Sequence, residues 1–152
     1  MNLQPTKTTV SQLRRLRAPR SLGPARVKGV ETTTYRVDVR LVKMKLEENG
    51  DVLLVVLDPD THEKMTVRYP AIGCIGQASA QHRKLMREAR VALATACGEP
   101  DRGSYTRVGG SATITGVGFF APGDDEPDAA PNGIQLHPVL GFRTAECLVG
   151  AG

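Results

Sequence analysis

The sequence predicts a mainly β protein with one helix, in the α+β class. Three observations support this: a meander of alternating strands over residues 35–69, one amphipathic helix over residues 80–97, and two strands after it. The order β-β-β-α-β-β suits a small five-stranded barrel of the OB type. At 152 residues, 40% of them hydrophobic, the chain has room for one domain with one core.

The first predicted strand begins near Thr33, where apolar and polar residues alternate strictly. Its apolar positions are odd-numbered as far as Leu41, but beyond it they are Val42, Met44 and Leu46. Because the buried parity changes within one strand, the pattern predicts a β-bulge near Leu41 or Val42. A small barrel needs a long, bent strand of this kind to close.

Two turns divide the rest of the meander. Asn49-Gly50 favours a hairpin turn, because both residues tolerate positive φ. A second strand over residues 52–57 is followed by a turn over residues 58–61, which is rich in Asp and Pro. Apolar and polar residues alternate again over residues 64–69, and Pro70 ends this third strand.

The helix has clear end signals, with Ser79 as the N-cap and Gly98 as the C-cap glycine. One face is apolar and predicts the side that packs on the core. Its members are Leu85, Met86, Ala89, Ala92, Leu93 and Ala96. Arg83, Arg87 and Arg90 fall on the opposite side.

After the helix, residues 105–108 and 112–120 predict one interrupted strand or a tight pair of strands. Gly116 and Gly118 share a face, which indicates a sharp bend or a close backbone approach. Residues 121–133 are expected to form a solvated acidic loop. The last strand, residues 134–140, contains Pro138, which favours an edge position.

Both ends of the chain are predicted to lie outside the barrel. Residues 1–28 hold seven basic residues, no acidic residue and three prolines, which is typical of a flexible basic arm. Their only apolar spacing is Val10, Leu13 and Leu16. We therefore place the barrel domain at residues 29–143 and a C-terminal tail at residues 144–152. The formal charge is +4, but 13 basic and 16 acidic residues remain without the arm, so the basicity belongs to the arm.

The opening residues contain no long apolar stretch, so we expect no signal peptide, no membrane segment and a cytoplasmic location. Three cysteines, Cys74, Cys97 and Cys147, form no ligand spacing, and the odd count favours reduced thiols. A bridge between Cys74 and Cys97 is the alternative if the protein is exported.

Two segments, GVGFF at residues 116–120 and APNGIQLHPVL at residues 130–140, resemble the C-terminal signature of a family of small, functionally uncharacterised bacterial proteins. Together with residues 45–58, the resemblance covers about residues 31–143. It implies no activity, and it implies export for many members. Residues 121–126 depart from the family, whose members tend to have an Asp and a His-Gly-Gln run there. The three-strand meander also resembles that of staphylococcal-nuclease-like barrels.

Few residues are candidates for chemistry. We interpret His137 as a structural histidine bonded to the preceding loop, and a catalytic role for His137 with Asp38 is the alternative. No cofactor and no metal site is predicted. The turn requirement alone explains the acidic and His residues Asp58, Asp60, His62 and Glu63. Ser111 lacks the strand-to-helix elbow of a nucleophile, and His82 is expected in solvent.

Our first hypothesis from the sequence is a non-enzymatic module that binds nucleic acid, or an acidic protein surface, without a membrane contact. The arm and helix arginines would make the contacts: Arg14, Arg15, Arg17, Arg20, Arg83, Arg87 and Arg90. One alternative is a nuclease-like or other hydrolase with its site near His137 and Asp38. Another is a structural component of a larger assembly.

Overall fold

The computed structural model describes residues 2–18, 33–71, 79–121 and 126–150. Within them, strands predominate and two helices interrupt them. In chain order the elements are β1 (Asn2–Thr8), α1 (Val10–Leu13), β2 (Thr33–Leu46), β3 (Val52–Leu57), β4 (Lys64–Tyr69), α2 (Ala80–Cys97), β5 (Thr106–Gly109), β6 (Ser111–Phe120), β7 (Ile134–Thr144) and β8 (Leu148–Val149).

Five of these strands close into a barrel, which confirms the predicted mainly β class. Around the barrel, β2 pairs with β3, β3 with β4, β4 with β7, β7 with β6, and β6 again with β2. All these pairings are antiparallel except β4 with β7. The core inside includes the fully buried Met44, Leu54, Val67, Ile114 and Leu136.

Strand β2 has the predicted bulge. Leu41 pairs with Val56 and Lys43 pairs with Val55, so Val42 is an extra residue on β2. Val37, Val39 and Leu41 are buried before the bulge and Met44 is buried after it. Beyond the bulge, β2 also leaves β6 and pairs with β5 on that side.

The N-terminal segment is part of the fold, so the prediction of a flexible arm is wrong for residues 2–16. Strand β1 pairs in parallel with β2, and α1 places Val10 and Leu13 in the main core at 0% and 1% exposure. Asn132 donates to the carbonyls of Leu13 and Leu16, at 2.9 Å each. The short apolar spacing noted in the sequence is therefore a buried helix face. Residues 19–32 lie outside the described part of the chain.

The C-terminal residues are also held as far as Val149, which corrects the expected tail at residues 144–152 for this part. Strand β8 pairs with β5, and a disulfide joins Cys97 at the end of α2 to Cys147. The expectation of reduced thiols is therefore wrong for Cys97 and Cys147, and so is the alternative bridge from Cys97 to Cys74. Cys74 itself lies outside the described residues.

Strand β7 is central, contrary to the edge position inferred from Pro138. It pairs with β4 on one side and with β6 on the other, and it continues to Thr144. Pro138 is tolerated because the pairing with β4 covers only Gln135 and Leu136, and the register with β6 shifts nearby. A Cβ on Gly116 would lie 2.9 Å from Leu136 Cβ, which confirms the predicted close approach.

Helix α2 has the predicted bounds. The Ser79 hydroxyl accepts from His82 N at 3.1 Å, and Gly98 ends the helix with φ +81°. Met86, Ala89, Leu93 and Cys97 form its buried face, and it packs mainly on β7. Among the described residues, neither helix has the length and apolarity to cross a bilayer.

Candidate nucleic-acid interface

The arginines of the expected arm do not act as one group. Arg14 Nε lies 3.2 Å from Glu63 Oε2, and its Nη1 donates to the Lys64 carbonyl at 2.6 Å. Arg14 therefore ties α1 to the start of β4. Arg15 and Arg17 are exposed, and Arg20 lies outside the described residues.

The helix arginines are likewise divided. Arg90 Nη1 donates to the carbonyls of Pro70 and Tyr69, at 2.9 and 3.3 Å, so its side chain closes the end of β4. Arg87 is exposed, whereas Arg83 is half-buried. Since Arg14 binds at the start of β4 and Arg90 at its end, the predicted arginines do not share one surface.

A different set of arginines does share a surface. Arg36 and Arg40 point outward from β2, and Arg143 points outward from β7, with β6 between the two strands. All three are exposed, and within the described part of the chain none forms an ion pair. We call this set the open arginine surface.

Small hydroxyl residues lie between these arginines. On β6, Ser111 pairs with Arg40, Thr115 pairs with Arg36, and Thr113 lies opposite Arg143. A shallow cavity of about 470 Å³ follows this row and is lined by Ser111, Thr113, Arg143 and Asp38. Asp38 accepts from Thr113 Oγ1 at 2.8 Å, and it is the single acidic residue among the outward-pointing residues of this part of β2.

The second half of β2 contributes to a set of lysines that do form ion pairs. We call this set, Lys43, Lys45 and Lys64, the paired lysine surface. Lys43 on β2 and Lys64 on β4 both contact Asp128, at 2.9 and 3.3 Å, so Asp128 bridges the two strands across β3. Lys45 lies 3.9 Å from Glu126. The Asp128 and Glu126 side chains are only 15% and 8% exposed. The acidic segment is therefore packed on the barrel at residues 126–128, which corrects the expected solvated loop there.

Tyr105 completes the paired lysine surface. Its ring lies under the ammonium groups of Lys43 and Lys45, 4.1 and 4.6 Å from the ring centre, and its hydroxyl donates to Glu126. Burial, followed by that hydrogen bond and the nearby carboxylates, raises the pKa of Tyr105, so the hydroxyl stays protonated at neutral pH. Burial acts to raise the pKa of Asp128, but Lys43 and Lys64 outweigh it and the pKa is lowered.

His137 and Asp38, the candidate catalytic pair, line separate cavities. His137 is half-buried on β7, where its ring packs edge-on against Phe119 with centroids 5.6 Å apart. This arrangement gives Asp38 no means to orient the imidazole.

The acidic turn between β3 and β4 is occupied by the protein's own groups. Asp58 is buried and accepts from the backbone amides of Ser11 and Asp60, at 3.2 and 2.8 Å. Burial acts to raise the pKa of Asp58, and these hydrogen bonds lower it overall. Glu63 pairs with Arg14, while Asp60 and His62 are exposed. The described residues contain no group of three His, Cys, Asp or Glu side chains spaced to hold a metal ion.

Comparisons with known proteins return no relative: no family model, curated protein or solved structure matches the chain. The family resemblance of the C-terminal motif stays a prediction. In the fold, that motif has a structural role, because its Asn132 bonds to α1 and its Gly116 allows β6 and β7 to approach closely.

Sequence reasoning overlooked the open arginine surface because net charge directed attention to the first 28 residues. The signal was nevertheless present in the alternation of the first strand. Arg36, Asp38 and Arg40 occupy every second position, so they share one outward face. Arg143 joins them only through the pairing of β6 with β7, which residue order alone does not specify.

Proposed function

We propose that this chain is an OB-type barrel that binds nucleic acid through the open arginine surface. The strand pairing supports the OB assignment, since the parallel β4–β7 contact and a helix between the third and fourth barrel strands are typical of that barrel. A barrel alone does not specify a ligand, so the argument for nucleic acid rests on the surface.

The observation that carries the proposal is the distribution of ion pairs. Lys43, Lys45 and Lys64 form ion pairs with two packed carboxylates, whereas Arg36, Arg40 and Arg143 form no ion pair within the described residues. Guanidinium groups form bidentate hydrogen bonds with phosphate oxygens. Because the three arginines lie on β2 and β7 with β6 between them, their spacing suits a chain of phosphates better than one small anion.

The neighbouring hydroxyls add a second type of contact. Ser111 and Thr115 lie between the arginine-bearing strands and can donate to phosphate or sugar oxygens. Such contacts hold the chain of phosphates in place without selecting a base sequence. We therefore expect binding that depends strongly on salt and weakly on sequence.

The decisive experiment compares two triple variants of equal charge. The first, Arg36→Gln with Arg40→Gln and Arg143→Gln, removes the open arginine surface. The second, Arg15→Gln with Arg17→Gln and Arg87→Gln, removes exposed arginines elsewhere. Binding of a fluorescent single-stranded DNA is measured at a series of salt concentrations, and the melting temperature of each variant is recorded.

We expect the first variant to reduce the slope of log K against log salt by about two to three units, from about 0.7 to 0.9 per lost phosphate contact. The second variant should retain the parental slope. Equal slopes for both triples would reject the open arginine surface as the contact. If the parent does not bind the DNA at low salt, the nucleic-acid proposal is wrong, and an acidic protein partner or an assembly role is favoured.

A further inference from the structure

A second cavity, of about 330 Å³, lies on the outer face of the barrel between the β2–β3 hairpin and the start of β7. It is separate from the cavity beside Arg143. Arg68 of β4, Phe119 of β6 and Gln135 and His137 of β7 contribute side chains to its wall. The hairpin contributes Asn49 and Asp51, and the Asp51 carboxylate already accepts from Ala71 N and Asn49 Nδ2, at 2.8 and 3.3 Å.

Gln135, which lines this cavity, and Thr66, which pairs with it, each carry a buried polar atom with no hydrogen-bond partner among the described residues. Gln135 is 1% exposed, and its Oε1 has no partner among the described residues. Thr66 pairs with Gln135 across β4 and β7, is also 1% exposed, and its Oγ1 is likewise unsatisfied there. Buried polar atoms are almost always hydrogen-bonded, so an unsatisfied amide oxygen on a residue that lines a cavity, with a second unsatisfied atom on the residue paired with it, points to a missing ligand.

The wall specifies what that ligand must carry. Arg68 offers cationic N–H groups beyond the one that binds Glu47, since a guanidinium has five donors. Phe119 offers an aromatic ring, and Gln135 offers an amide that accepts at Oε1 and donates at Nε2. A matching ligand has a flat ring with adjacent donor and acceptor atoms and an anionic group.

We propose that this cavity binds one nucleotide, with its base against Gln135 and Phe119 and its phosphate toward Arg68. Adenine is the base expected, because a carboxamide side chain pairs with both an N–H donor and a ring-nitrogen acceptor on its edge. The inference rests on the proposed function for the class of ligand. The nucleotide is either one unit of a bound strand or a free mononucleotide.

The test uses two near-isosteric variants of the full chain, Thr66→Val and Gln135→Met. Calorimetric titrations are carried out with AMP, adenosine, inorganic phosphate and a short deoxyadenylate strand. Ser11→Ala is the control, because it removes a hydroxyl that is already bonded to Thr61 Oγ1 at 2.6 Å, away from the cavity. Melting temperatures are measured for every protein without ligand.

We expect AMP to bind the parent more tightly than adenosine or phosphate does. Each cavity variant should weaken AMP binding by about tenfold or more. Because each removes an unsatisfied polar atom, its melting temperature without ligand should equal the parental value or exceed it by roughly 2–4 °C. The control should melt lower and bind AMP normally. A stability gain coupled to a binding loss is the signature of a polar group kept for a ligand.

Several results would overturn the inference. One is that the parent does not bind AMP, and another is that both cavity variants bind it normally. A fall of several degrees in their melting temperatures would show that the polar atoms are already satisfied by water. If the strand binds with a steep salt dependence but AMP does not, the cavity inference fails and the proposed function stands. The reverse result rejects the open arginine surface and supports the cavity.

Discussion

The two halves of strand β2 carry similar numbers of basic residues, but these residues are used in opposite ways. Before the bulge, Arg36 and Arg40 are exposed without an ion pair in the described part of the chain. After it, Lys43 and Lys45 are paired with Asp128 and Glu126 and lie over Tyr105. The comparison shows that a count of charges does not locate a binding surface, because packed carboxylates neutralise one half and not the other.

Glu126 and Asp128 explain why the lysines of the second half of β2 are paired. Asp128 holds a loop against three strands by bridging Lys43 and Lys64 over β3, and Glu126 pairs with Lys45. Arginine stays charged in any environment and makes bidentate contacts, whereas lysine acts as a point charge. The residue types therefore agree with the division, with arginines on the open surface and lysines in the internal network.

The largest effect is expected from breaking the support of the open arginine surface. Strand β1 pairs with β2 beside Arg36, and α1 anchors β1 through Leu13 in the core. We expect Leu13→Ala to lower the free energy of unfolding by about 2–5 kcal/mol, as for other buried leucines. Urea denaturation measures this, with the exposed Arg15→Ala as a control expected within about 0.5 kcal/mol. If both variants lowered the free energy of unfolding equally, the first residues would not be part of the folded core and the prediction of a flexible arm would stand.

A second experiment should convert the paired lysine surface into an open one. The double variant Glu126→Gln with Asp128→Asn leaves three lysines without their carboxylate partners. We expect the salt slope for single-stranded DNA to steepen by about two units, because more cations become available to phosphate.

The control for that experiment is Glu99→Gln with Glu146→Gln, which changes the charge equally at two exposed positions. The control should leave the slope unchanged. If both double variants steepen it to the same degree, net charge rather than local pairing governs binding, and the distinction between the two halves of β2 is wrong.

The smallest expected effect is the acid sensitivity of the paired lysine surface. The pKa of Asp128 is lower in the folded chain than in the unfolded one, because Lys43 and Lys64 stabilise its charged form against the opposing effect of burial. Its stabilising contribution is therefore complete above the unfolded pKa of about 3.9 and disappears as the pH falls through the lower folded value.

Asp128→Asn should thus be less stable than the parent at pH 7, and the difference should narrow below about pH 4. Thermal unfolding monitored by circular dichroism from neutral to acidic pH measures both quantities. A difference that stays constant over this range would show that the lysine pairing of Asp128 does not stabilise the fold.

The sequence predicted the middle of the molecule well, where local patterns and packing agree. The parity change at Val42, the hairpin at Asn49-Gly50 and the caps of α2 are local signals, and the structure confirms each of them. Of the two turn residues, only Gly50 takes a positive φ. Pro138 misled because its local preference for an edge does not reveal a register shift between strands. The bulge, the hairpin turn and the helix caps, by contrast, are each specified by residues within a few positions of one another.

The chain ends and the candidate site depended on contacts between distant residues. Asn132, more than 100 positions along the chain, donates to the carbonyl of the buried Leu13. Cys147 is bonded to Cys97 across 50 positions. Arg143 joins Arg36 only through β6. Such neighbours follow from strand order and register, and composition suggested instead that the basic first residues would extend into solvent.

The bulge at Val42 has a consequence for which mutations the chain tolerates. With this extra residue in place, even-numbered residues face outward before it and odd-numbered ones after it. Deleting Val42 would place Leu41 next to Lys43, and β2 would then alternate in a single phase with Lys43 and Lys45 still outward and Met44 still inward. Such a deletion would remove only the local bend and extra twist that the bulge gives the strand. The bulge is therefore a place where β2 can lose one residue without turning its charged side chains toward the core.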